Sequence, residues 1–216
     1  MNEMKIIRYL VVIACLLLSA TAFAQSSYEK MIRAVEEGQY NDVKLLLDRG
    51  MDPNTTDRHG NSILMIAARK GEARIVSLLI TRRADVRRLS RAGDTALLMA
   101  CLNGDVAVIR ALLEAGGELN PEKGWTPLQY AAFAGKADAV KLLLELGAEK
   151  DAVAPNGYTP IMLAARNGQV EAAKLILYQD PDVNFRAESG ETALRIARKR
   201  NMRDLEQLLV RAGAVE

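Results

Sequence analysis

Glycine recurs along this chain on two ladders that keep step with each other, and no other feature constrains the fold as strongly. The first ladder is Gly60, Gly93, Gly124, Gly157 and Gly190, at intervals of 33, 31, 33 and 33 residues. The second is Gly38, Gly71, Gly104, Gly135 and Gly168, and Asn201 continues it. Each first-ladder glycine stands 11 residues before its second-ladder counterpart, so the two residues missing from the short interval lie between Gly104 and Gly124. Self-similarity at this period means a repeat architecture, in which stacking neighbours build one continuous core.

The residues around each rung say what a unit is. After the first-ladder glycines come Asn61-Ser62-Ile63-Leu64, Asp94-Thr95-Ala96-Leu97, Trp125-Thr126-Pro127-Leu128, Tyr158-Thr159-Pro160-Ile161 and Glu191-Thr192-Ala193-Leu194. Ser and Thr cap helix N-termini, and Pro is tolerated at the first helical position, so each rung opens a short helix. Small pairs follow, Ala67-Ala68, Ala100-Cys101, Ala131-Ala132 and Ala164-Ala165, which let backbones approach closely. The second-ladder glycine or asparagine then suits the left-handed residue after a helix end. A second helix carries aliphatic runs such as Leu45-Leu46-Leu47, Leu142-Leu143-Leu144 and Leu208-Leu209-Val210, and ends in turn chemistry such as Leu146-Gly147-Ala148-Glu149.

This pattern, G-x-T-P-L-x-x-A-A-x-x-G, then a leucine helix, then G-A-D-x-N, resembles the ankyrin repeat over residues 27–216. The resemblance implies an all-α repeat solenoid of about six helix-turn-helix units with short β-hairpin fingers. Unit boundaries are expected near 27–58, 59–91, 92–122, 123–155, 156–188 and 189–216. Departures from the family pattern are specific. The family's usual His after T-P-L is replaced by Met65, Leu98, Gln129, Met162 and Arg195, of which Gln129 is the one able to make a similar hydrogen bond. In the second unit Arg83 stands for the terminal glycine and Arg87 for the loop asparagine. Asp42, Arg198 and Glu206 put charge where the interior units have apolar or small residues, which reads as end-capping of a six-unit stack, because a buried unpaired charge is costly.

The start of the chain has a different character. Lys5 and Arg8 precede an apolar run from Leu10 to Leu18 and a small-residue exit, Ala22-Phe23-Ala24, before Gln25. Residues 1–24 read as a secretory signal peptide cleaved between Ala24 and Gln25. The run is shorter than the roughly 20 residues of a spanning helix, so no membrane span is expected. The compartment is then the bacterial periplasm, or the exterior by secretion; a lipid anchor through Cys15 is the alternative. Cleavage leaves 27 basic and 26 acidic residues, too even a balance to single out nucleic acid as a partner. It also leaves Cys101 as the only thiol, so stability must come from packing.

Nothing in the pattern assembles a reaction centre. His59, the single histidine, has no nucleophile motif, phosphate loop or metal-ligand cluster beside it, and reads as a solvated loop residue. Cys101 reads as small core, Asp180 and Asp182 as turn formers, and Met65, Met99 and Met162 as core-directed. No catalytic residue, cofactor or metal is expected. The alternative is an enzyme or small-ligand protein using His59 or the arginine-rich loop from Arg82 to Arg91, which also suits an acidic partner or anionic lipid.

The resemblance places partner binding on finger tips and the concave side of the first helices, with a monomer holding a protein partner. The corresponding residues are His59, Arg69 and Lys70 in unit two, with Arg58 and Asn61 beside them; Leu102 and Asn103 in unit three, with Asp94; Trp125 and Phe133 in unit four; and Tyr158, Arg166 and Asn167 in unit five. Only 5% of the chain is aromatic, so three aromatics at such places stand out. Finger-against-finger packing of Trp125 and Tyr158 is the other reading, and the two are compatible.

Overall fold

The structure is a computed structural model describing residues 27–215; the expected leader, its expected cleavage between Ala24 and Gln25, and Cys15 lie outside the described residues. Residues 27–36 are helical and form α1. They are followed by α2 (Tyr40–Asp48), α3 (Ile63–Lys70), α4 (Ala73–Thr81), α5 (Ala96–Asn103), α6 (Val106–Glu114), α7 (Pro127–Ala134), α8 (Ala137–Glu145), α9 (Pro160–Asn167), α10 (Val170–Leu177), α11 (Ala193–Lys199) and α12 (Arg203–Arg211). From α3 onward each odd helix packs on the next odd helix, and each even helix on the next even one. The result is two layers, inner and outer, in a linear stack.

The caps expected from sequence set these boundaries. Ser62, Thr95, Thr126 and Thr192 each accept a hydrogen bond from the backbone N–H three residues on. Thr159 holds the same place, yet its hydroxyl is buried without a partner. At the far end of α5, Gly104 is left-handed, and a Cβ there would lie 2.7 Å from the Lys136 side chain, so both conformation and space select glycine. Asn201 takes the same conformation, φ 56°.

Packing explains the alanine pairs. Ala67, Ala68, Ala100, Cys101, Ala131, Ala132, Ala164 and Ala165 are all fully buried between inner helices. The outer layer buries Ile75, Val76 and Leu79, then Val108, Ile109 and Leu112, then Ala139, Val140 and Leu143, then Ala172, Ala173 and Ile176. In the corresponding places, Asp42 is exposed, and Glu206 keeps its carboxylate 2.8 Å from Nε of Arg198. The two charges that break the small-residue pattern in the sixth unit therefore neutralise each other across α11 and α12.

The fingers are turns rather than strands. Among the described residues a single antiparallel bridge, Thr56 with Ser62, has β character. Four fingers close with the same four-residue turn, as where Gly157 N–H donates to Ala154 and Ala154 N–H to Tyr158. The unit-four finger has Pro121 at that place, which has no N–H to donate.

A third ladder follows the outer helices. The outer helices end on Gly50, Arg83, Gly116, Gly147, Asp180 and Gly213, all with positive φ. Arg83 and Asp180 hold this conformation at a cost of about 1–2 kcal/mol each. Four residues further on, Asn54, Arg87, Asn120, Asp151 and Asn184 brace the following loop. Asn120 and Asn184 donate to the carbonyls of Gly147 and Gly213, and Arg87 Nε donates to Gly116 O at 2.8 Å. The arginine thus takes over the asparagine's donor role but not its acceptance of a backbone N–H from the following loop. These ladders place the two missing residues directly after Asn120, so the rising arm of the unit-four finger is the part that is shortened.

Candidate partner-binding surface

Three rows of side chains cross the face formed by the fingers and the inner helices. The finger row is Asn61, Asp94, Trp125, Tyr158 and Glu191. Five residues on, the floor row is Ile66, Met99, Tyr130, Leu163 and Ile196. Three residues beyond that, one helical turn along the same face, the rim row is Arg69, Leu102, Phe133, Arg166 and Lys199.

The rows enclose a groove of about 690 Å³ over units two to six, with Met99, Leu102, Trp125, Tyr130, Phe133 and Leu163 as its apolar lining and Arg69, Arg166 and Arg200 among its polar residues. The Trp125 and Tyr130 rings meet edge to face at 5.7 Å and 87°. The Tyr130 hydroxyl donates to the Asp94 carboxylate of the preceding finger. Burial, reinforced by that carboxylate, pushes the Tyr130 phenol far above its usual value, which keeps it a protonated donor. Phe133, 43% exposed, is a large apolar side chain held out into solvent on this face.

The structure therefore gathers Arg69, Leu102, Trp125, Phe133, Arg166 and Asn167 into one groove. Asn167 also serves the stack, donating through Nδ2 to Phe133 O at 2.8 Å. Tyr158 lies beside the groove and acts between fingers: its hydroxyl donates to Glu191, and Arg166 lies over its ring at 5.6 Å. Lys70 is exposed at the end of α3, and the Asn103 amide stands against Gly71. His59 is at an exposed finger tip, where Nε2 accepts from Nε of Arg58 at 3.2 Å and its backbone N–H donates to Asp57.

Sequence reading did not pick out Tyr130, Met99 and Leu163. The signal was present: each stands three residues before a rim residue and so shares its helix face. Met99 is core-directed as expected, yet at 9% exposure it also forms groove floor.

The arginine-rich loop is partly structural. Arg82 pairs with Asp48 at 2.7 Å, and Arg87 with Glu118 at 3.1 Å. Where the shortened finger fails to cover α5, a smaller cavity of about 270 Å³ opens over Leu98, walled by Leu89, Pro121 and Trp125. In the next unit that gap is closed by Gln129, whose Nε2 donates to Ala152 O at 2.8 Å. Cys101 is buried, and burial pushes its thiol well above the usual range, so it offers no thiolate near neutrality. No helix among the described residues is long and apolar enough to cross a membrane.

A family model described as ankyrin repeats, three copies, matches residues 31–123, 64–154 and 147–215. The chain belongs to the ankyrin-repeat family. Its fold matches the ankyrin repeat domain of Bcl-3, a unique member of the IκB protein family, at TM-score 0.70 and 30% identity, covering 86% of each chain. It also matches an ankyrin repeat domain from Acinetobacter baumannii AYE at TM-score 0.71 and 27% identity, covering 86% of this chain and 98% of that one. No curated protein sequence matches it. Ankyrin repeats are in general protein–protein interaction modules.

Proposed function

We propose that this ankyrin-repeat chain is exported, losing residues 1–24, and acts as a non-enzymatic module that holds a protein partner across its concave groove in the periplasm or outside the cell. The observation that carries this reading is the groove itself. It presents Trp125 and Phe133 beside Arg69 and Arg166 on a rigid helical floor, and aromatic and arginine side chains dominate binding hot spots. The leader composition supports export, and the protonated Cys101 and solvated His59 support binding rather than chemistry.

A photo-crosslinking side chain placed at Phe133 tests this in the producing cell. The expected result is one dominant protein adduct whose bait component begins at Gln25 by mass spectrometry. The same probe at Tyr178, 88% exposed at the end of α10 on the outer layer, should give none. Equal crosslinking from both positions, or adducts from Tyr178 alone, would remove the groove from consideration.

A further inference from the structure

The charge on the concave face is distributed unevenly. The rim row reads Arg69, Leu102, Phe133, Arg166 and Lys199, and the residues next to them read Lys70, Asn103, Ala134, Asn167 and Arg200. Cations thus stand at both ends, over unit two and over units five and six, while the same places in units three and four hold only apolar and neutral groups.

Two carboxylates on the face offset them only in part. Asp94 accepts from Tyr130, and Glu191 accepts from Tyr158 with Lys199 at 3.7 Å. The Tyr158 hydrogen bond, helped by Lys199 and Arg166, holds the Glu191 carboxyl below its ordinary range, so it stays charged and engaged. Among the described residues, Arg69, Arg166 and Arg200 have no carboxylate within ion-pairing distance. Arg166 instead rests over the Tyr158 ring, with the Glu191 carboxylate acting on it only at longer range.

From this distribution we propose that the partner segment is an extended acidic peptide with an apolar centre. Its apolar side chains would seat against Trp125 and Phe133, and its carboxylates would reach Arg69 on one side and Arg166 and Arg200 on the other. Helix layers about 10 Å apart put units two and six about 40 Å apart, the reach of about a dozen extended residues. Isolated surface ion pairs add little to affinity. Here several cations flank one apolar groove, and complementary charge fixes register and discriminates against basic partners. This inference rests on the groove being the docking face.

Display of random 14-residue peptides against the purified protein tests it. Enriched peptides should carry net negative charge, with acidic residues on both sides of an aromatic or aliphatic centre. They should bind at least tenfold more weakly to an Arg166→Glu, Arg200→Glu variant and more weakly in 300 mM salt than in 50 mM. The same selection on that variant should lose its acidic bias on one side. Enrichment of neutral or basic peptides, no enrichment, or an unchanged preference in the double variant overturns the proposal. So does a thymidine oligonucleotide bound as tightly as the selected peptides, because a polyanion without an apolar centre would then suffice. Crosslinking at Phe133 together with non-acidic selected peptides would leave the docking face standing and remove only the charge assignment.

Discussion

Thr126 and Thr159 stand at the same place in successive repeats and meet opposite environments. Thr126 Oγ1 accepts from the Gln129 N–H, and Gln129 Oε1 accepts from the Thr126 N–H, so both ends of the cap are satisfied. Thr159 buries its hydroxyl with no partner. Thr126→Val should therefore cost about 1–2 kcal/mol, the value of a lost cap, whereas Thr159→Val removes an unsatisfied polar atom and should be neutral or stabilise by up to about 1 kcal/mol. Urea denaturation of the two variants checks this, and equal destabilisation would show that the Thr159 hydroxyl is engaged. The Gln129 bond to Ala152 was legible in the sequence, because the family pattern names the place and only an amide there has the reach. Other contacts were not. Met65 replaces the usual polar member of a capping box, its sulfur accepting the Ser62 N–H at 3.3 Å, and a methionine in an apolar run reads only as core. Tyr130 and Asp94 are 36 residues apart and meet only once two units are stacked.

Between elements, the fingers are held by hydrogen bonds that depend on pH. The Tyr158 hydroxyl joins finger five to Glu191 of finger six, lowering the Glu191 pKa below its ordinary 4.5 and raising that of Tyr158 above its ordinary 10.0. The acid side contributes stability above 4.5 that is lost as pH falls through the depressed value. The phenol side contributes below 10.0 and is lost as pH rises through the raised one. Tyr158→Phe should thus be less stable than the parent between about pH 5 and 9, with the difference shrinking toward pH 3 in chemical denaturation. A difference independent of pH would assign it to ring packing against Arg166 instead. Element ends were readable because Ser, Thr and Gly each have a local conformational reason to be there. The position of the two missing residues was readable only as an interval, from Gly104 to Gly124. Asn120 fixes it, because its contacts with Gly147 and Glu149 place it in step with Asn54 and Asn184.

For the whole molecule, the alanine-rich and aromatic-poor composition follows from thin helix pairs in close contact, and so does the way it should open. Each unit touches mainly its neighbours, so stability is a sum of unit terms and interfaces, and an end unit has one interface where an interior unit has two. The interfaces differ. The finger between α8 and α9 is tied to the finger before it by Asn120 to Gly147 and Glu149 and to α7 by Gln129 to Ala152, and Asn167 ties α9 to Phe133 of α7. At the preceding junction Tyr130 reaches Asp94 and Arg87 reaches Gly116 and Glu118, but α5 and α7 meet beside the cavity at Leu98. Backbone amides of α7 and α9 should therefore exchange with solvent most slowly. Protection should step down at α5 and decline further toward α2 and α12, as local opening propagates from the ends and halts at the best-tied interface. Hydrogen exchange followed by mass spectrometry reads this gradient directly. Equal protection of α3, α5, α7, α9 and α11 would mean that the six units open as one, and that the side-chain ties add too little to distinguish one interface from the next.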